Sequence, residues 1–187
     1  MDTPAEVRPD VRRVFLALWP DEHTRDALTA LAHDLDGPGR PVPRDHLHLT
    51  LAFAGTVPTN QADCLAARIG TLACAPIDLS LDHLGYFHGP RITWAGPTSP
   101  PPALVTLANA ARLLCNDCGI QIGAPHPFRP HLSLRRHAAP PHQEAIRPPI
   151  LWTADTVVLV ESGQNGHPGP YRVLARCGTD HPSYGPP

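Results

Sequence analysis

The chain has 187 residues, 42% of them apolar, and a formal charge of −2 with the histidines neutral. That length fits one domain with a proper core, or two small lobes sharing one. The near-neutral balance argues against a broad, non-specific nucleic-acid footprint, so an RNA partner would be gripped at an end. No stretch approaches the roughly 20 apolar residues of a membrane span. Met1–Asp10 lacks the pattern of a signal peptide, and the expectation is a cytoplasmic protein for which a monomer suffices. All 15 basic residues are Arg, so any phosphate contact must come from Arg, His, hydroxyls or backbone.

In chain order, Arg13–Leu18 reads as a first strand buried on both faces. Pro20 and Asp21 open a helix with Leu28, Leu31 and Leu35 on one stripe, stopped by Gly37-Pro38-Gly39. Residues 46 to 53 alternate as a strand that Gly55 closes, and a second helix runs from about Thr59 to Cys74. Ile77–Leu81 and Arg91–Ala95 read as strands. A third helix carries Leu104, Leu107, Ala111, Leu114 and Cys118, with Gly119 as its stop. Residues 131 to 135 form another strand, and the Pro- and His-rich segment 137 to 149 reads as a loop. Thr156–Glu161 and Tyr171–Arg176 read as closing strands. Cys115 and Cys118 form a C-x-x-C without a second pair to complete a zinc site, and read as small buried helix residues.

Two of these strands carry the chemistry. His46-Leu47-His48-Leu49-Thr50-Leu51 and Pro130-His131-Leu132-Ser133-Leu134 each contain His-x-(Thr/Ser)-Leu. Alternation puts His48 and Thr50 on one face, and His131 and Ser133 on one face. Leu49, Leu51 and Phe53 would then turn toward the core. A third match, His181-Pro182-Ser183, has no strand pattern around it. A proton-transfer group beside a hydroxyl, displayed twice on rigid strands, points to acid–base chemistry on a phosphoryl group. Strands mixed with a few helices, lacking strict βαβ alternation, argue for an α+β fold with largely antiparallel sheets.

These runs resemble the two-histidine phosphoesterase superfamily, and within it the RNA 2′,3′-cyclic phosphodiesterases, also called 2′-5′ RNA ligases. The resemblance continues through Arg13–Leu18, Pro90-Arg91-Ile92-Thr93-Trp94-Ala95-Gly96, Phe128–Arg136, Val158–Ser162 and Gly169-Pro170-Tyr171. It spans residues 12 to 176 and leaves 1 to 11 and 178 to 187 as flexible termini. It implies two pseudo-symmetric lobes with mostly antiparallel sheets flanking a central cleft, helices on the outer faces, and neither metal nor cofactor. It also implies His48 as proton donor to a leaving 3′ oxygen and His131 as the base that activates water. By symmetry the residues alone leave open which histidine does which.

Thr50, Ser133 and Arg136 would hold the phosphate oxygens. The resemblance favours Arg136 for that contact, whereas simple strand alternation favours Arg135. Phe53, Trp94 and Tyr86 are the candidate stacking groups for a nucleoside. The expected substrate is an RNA end or nucleotide bearing a 2′,3′-cyclic phosphate, opened to a 2′-phosphate, with 2′-5′ ligation as the reverse. Two other readings stand beside it: a phosphodiesterase for a small cyclic nucleotide or 2′-5′ oligonucleotide, and a non-catalytic module binding nucleotides or RNA ends. His46-x-His48 also has metal-ligand spacing, without an obvious third ligand.

Overall fold

The computed structural model describes residues 10–123, 127–164 and 167–178. The strands are β1 (Val11–Leu18), β2 (Arg40–Pro41), β3 (Leu49–Pro58), β4 (Ile77–Phe87), β5 (Ile92–Gly96), β6 (Leu132–Arg136), β7 (Ala145–Ala154), β8 (Thr156–Gln164) and β9 (His167–Gly178). The helices are α1 (Glu22–Asp34), α2 (Thr59–Arg68) and α3 (Pro102–Asp117). Asp21 caps α1 by accepting from the Thr24 backbone N–H at 2.8 Å, which satisfies one of the orphan donors of the first turn.

The strands run β7-β4-β5-β6-β3-β1-β8-β9, with β2 on β6. The order divides into two halves of four, each with a motif strand at its inner edge. They meet at one ladder pair, Leu49 with Leu132. The α1 helix packs on β6 and β7, while α2 and α3 pack on the β1–β3 side. A single apolar core runs beneath both halves, from Leu28 and Leu65 to Leu104, through Leu49, Leu132 and Leu134. Each such fully buried Leu contributes roughly 1.5–3 kcal/mol. The α+β class with a large antiparallel sheet is as expected.

The β1 strand is buried on both faces: Val14, Leu16 and Leu18 join the main core. Phe15, Ala17 and Trp19 join a smaller cluster with Val158 and Val160 on the other side. That second cluster underlies His48.

Several expectations need correction. The first motif strand begins at Leu49, because residues 44 to 46 coil into a 3-10 turn. It also continues past Gly55, which takes φ +79, to Pro58. Segment 137 to 149 is not all loop: β7 begins at Ala145 and pairs with β4 from Leu81 to Ile77. Val11 already pairs with Pro58 and Gly178 still pairs with Thr156, so neither belongs to a free terminus. The other terminal residues, including His181-Pro182-Ser183, lie outside the described residues.

The cysteines differ as well. Cys118 is bonded to Cys64 with Cα atoms 5.8 Å apart, and Cys74 to Cys177 with Cα atoms 6.2 Å apart. Both spans fit disulfide geometry. Only Cys115 matches the expectation of a buried helix residue, free and pushed up to about 11 by burial.

Candidate active site

The seam between β3 and β6 assembles the motif residues. Antiparallel partners share a face of the sheet. With Leu49 opposite Leu132, one step of register either way sets His48 across from Ser133 and Thr50 across from His131. Each histidine therefore faces the hydroxyl of the other half.

Both rings are oriented by the same device. Nδ1 of His48 lies 2.7 Å from the His46 carbonyl oxygen, and Nδ1 of His131 lies 2.8 Å from that of Arg129. A carbonyl only accepts, so each Nδ1 carries the hydrogen and each neutral ring keeps its lone pair on Nε2. Packing fixes the rings further. His48 lies 4.6 Å from the Phe15 ring, 6.3 Å from Trp19 and 5.5 Å from Tyr171. His131 meets Phe87 edge-on at 4.8 Å and Trp94 at 6.1 Å.

Burial holds His48 down to about 4, aided by the nearby charges of His131 and Arg136 and opposed by the His46 carbonyl. Burial also lowers His131, with Arg129 adding to it. At that value His48 is neutral at pH 7, and an arriving phosphodiester monoanion would favour the charged forms of both histidines.

A β-bulge follows the hydroxyl on each motif strand. On β3 the register passes from Ala17–Thr50 to Leu16–Ala52 and skips Leu51. On β6 it passes from Trp94–Ser133 to Thr93–Arg135 and skips Leu134. An extra residue reverses the pleat parity downstream. Phe53 consequently pairs with Phe15 on the cleft side, 47% exposed, and not in the core as alternation predicts. The Arg13 guanidinium sits 5.0 Å over its ring.

The second bulge separates the two arginines. Arg136 faces the cleft, where its charge reaches His46, His48 and Tyr171. Arg135, expected from plain alternation to reach phosphate, is turned to the α1 side and buried. Its guanidinium donates to the carbonyls of Leu35, Gly37 and Gly39, capping the end of α1.

Of the expected stacking groups, Phe53 is open and Trp94 is not. Trp94 is only 6% exposed and supports His131. Tyr86 faces the other side of β4, donating its hydroxyl to the Ala138 carbonyl at 2.8 Å.

Sequence reasoning missed Phe15, Trp19, Phe87 and Tyr171 as site residues. Tyr171 also stacks on His46 at 4.0 Å. The signal for Tyr171 was its place in the Gly169-Pro170-Tyr171 run. Among the described residues no three His, Cys, Asp or Glu groups gather where they could hold a metal ion.

A bilobal antiparallel α+β fold with paired His-x-(Thr/Ser) motifs at its seam defines the class: the chain belongs to the 2′-5′ RNA ligase superfamily, whose family model matches residues 19–166. Among particular relatives it is 32% identical over 139 residues to the RNA 2′,3′-cyclic phosphodiesterase of Escherichia coli, covering 74% of this chain and 70% of that protein. It is 31% identical over 182 residues to the RNA 2′,3′-cyclic phosphodiesterase of Thermus thermophilus, covering 88% of each. The crystal structure of E. coli LigT complexed with 3′-AMP superposes with a TM-score of 0.74 at 28% identity, covering 92% of this chain and 99% of that one.

Proposed function

We propose that this protein opens 2′,3′-cyclic phosphate ends of RNA to 2′-phosphates by a metal-independent two-histidine mechanism. The observation that carries the reading is the Leu49–Leu132 pair, whose register supports two imidazoles of fixed tautomer acting on one phosphate from its two sides. In-line displacement at phosphorus needs a base on the entering side and an acid on the leaving side. Following the family pattern, neutral His131 takes a proton from water through Nε2. His48, protonated when the phosphate arrives, gives its proton to the leaving 3′ oxygen. Thr50, Ser133 and Arg136 hold the non-bridging oxygens as charge builds there. Phe53, with Arg13 above it, offers the terminal nucleoside a stacking surface.

The names of the relatives support the substrate, and a bound 3′-AMP in a structural neighbour supports a nucleotide in the cleft. The reading calls on groups of one chain only, so a monomer suffices for it. No helix among the described residues is long and apolar enough to cross a membrane.

The test is an RNA oligonucleotide ending in a 2′,3′-cyclic phosphate, incubated with excess EDTA, with wild type, His48→Ala and His131→Ala in parallel. Opening to a 2′-phosphate that is lost in both variants is the expected result. A 3′-phosphate product, or turnover that survives either substitution, overturns the assignment.

A further inference from the structure

His48 is held by more than its own strand. The 3-10 turn at Arg44–His46 supplies the His46 carbonyl that receives its Nδ1–H. The Trp19 indole lies stacked beside its ring, tilted by 24°. One residue touches both of these supports. Arg25 of α1 is only 2% exposed, and a guanidinium so far out of water persists only where acceptors and a ring face receive it.

Its Nε donates to the Pro20 carbonyl at 2.8 Å, and a terminal nitrogen donates to the Arg44 carbonyl at 3.3 Å. That Arg44 oxygen is the one that closes the 3-10 turn by accepting the Leu47 N–H. The guanidinium also sits 4.6 Å over the Trp19 ring, a cation–π contact. From outside, the Arg44 side chain straps the same turn to α1 through Asp26 and Glu22. The indole that flanks His48 and the turn that presents its carbonyl are therefore fastened by one buried side chain. His131 is served separately, by the Arg129 carbonyl and by Phe87 and Trp94 of β4 and β5.

We propose that Arg25 is a positioning residue for the proton donor, fixing the orientation and tautomer of His48 through Trp19 and the Arg44–His46 turn. For its effect on rate the proposal rests on the phosphodiesterase reading above. Nε2 of His48 can take up a proton and pass it to the 3′ oxygen only while Nδ1 stays bonded to the carbonyl. A ring released from that carbonyl divides its neutral form between two tautomers and turns Nε2 away from the leaving oxygen. The cost falls on rate and not on substrate affinity, because Thr50, Ser133 and Arg136 hold the phosphate.

The experiment measures kcat and KM on 2′,3′-cyclic AMP for wild type, Arg25→Met and Arg25→Lys, together with ring-nitrogen NMR spectra of His48 and His131. Arg25→Met keeps much of the side chain's length and removes its donors and charge. It should lower kcat about tenfold and leave KM within about twofold of wild type. His48 should then show a mixture of tautomers, while His131 keeps its hydrogen on Nδ1. Arg25→Lys keeps a charge over the indole and can reach one carbonyl, so it should fall between the other two on both measures. Should Arg25→Met fail to fold, Arg25→Lys is judged against wild type by the same criteria. Wild-type kcat with a single His48 tautomer overturns the proposal. So does a loss of tautomer order at both histidines together, or a KM that rises as far as kcat falls, since either marks a general loosening. If wild type does not open the cyclic phosphate at all, the phosphodiesterase reading is lost, and the ring spectra still decide whether Arg25 holds His48.

Discussion

Phe53 and Arg136 occupy the same place in their two strands. Each stands three residues beyond the motif hydroxyl, and each is returned to the cleft face by a bulge that skips the intervening leucine. The pseudo-symmetry of the halves thus extends past the histidines, and at this position it is put to different uses. One half presents an aromatic ring and the other a cation.

That relationship predicts opposite outcomes for neighbouring arginines. Arg136→Gln should lower kcat/KM on a 2′,3′-cyclic nucleotide by about 100-fold, the usual loss when a donor to a developing oxyanion is removed, with little change in Tm. Arg135→Gln should leave the α1 carbonyls unmatched and cost roughly 1–3 kcal/mol of stability, while the remaining folded enzyme turns over normally. Steady-state kinetics and thermal melts on both variants decide it.

The half-buried His48, held below its ordinary pKa by desolvation, makes the fold acid-sensitive. Its native pKa, about 4, lies below its unfolded value near 6.5. Between those values the unfolded chain binds a proton that the native chain refuses, so stability falls as pH drops from about 7 toward 4. The loss from this group is at most roughly 3 kcal/mol. Urea midpoints measured from pH 7.5 to 4.5 should decline, and His48→Gln should flatten the decline.

Ligand binding carries the converse sign. An anionic product such as a nucleoside 2′-phosphate draws protons onto the two histidines, so its affinity should rise as pH falls from 7.5 to 6. Calorimetry in buffers of different ionisation enthalpy should register proton uptake on binding. A pH-independent Kd with no proton uptake would remove the histidines from the phosphate site.

The disulfides close loops of 54 and 103 residues. Each is worth about 2–5 kcal/mol by the usual range. Reduction with dithiothreitol should lower Tm on the order of 10 °C, and a thiol assay on the native oxidised protein should find Cys115 unreactive until the chain unfolds.

Gly85 is required by its neighbour. Gly85→Ala would place a methyl group 2.1 Å from the Trp94 ring and displace the indole that packs beside His131. We expect a destabilisation of about 1–3 kcal/mol, together with a lower kcat. Circular dichroism melts and kinetics on the one variant test both effects.

Local sequence made much of this molecule legible. The apolar run of β1, the capped stripe of α1 and the Gly119 stop of α3 each declare themselves within a few residues. The histidines stand just ahead of their strands and the hydroxyls ahead of the bulges, so plain alternation is undisturbed there. Phe53 and Arg135 were misplaced because alternation carries no sign of a skipped residue, which depends on how β1 and β5 pair alongside. Nor does local sequence foretell that β7 forms through Pro148 and Pro149, since only the open edge of β4 makes a strand of that segment. Cys64 with Cys118, and His46 with Tyr171, meet only after the sheet has closed around them.

The crossed arrangement at the seam has a consequence for how activity is lost. Neither half holds a histidine together with the hydroxyl that faces it, so neither is a weaker version of the whole. Competence resides in the docking of one half on the other, and it is present or absent as a unit. Inactivation by heat or by a nick should therefore follow one all-or-none event, with no residue of partial turnover from a half that survives intact.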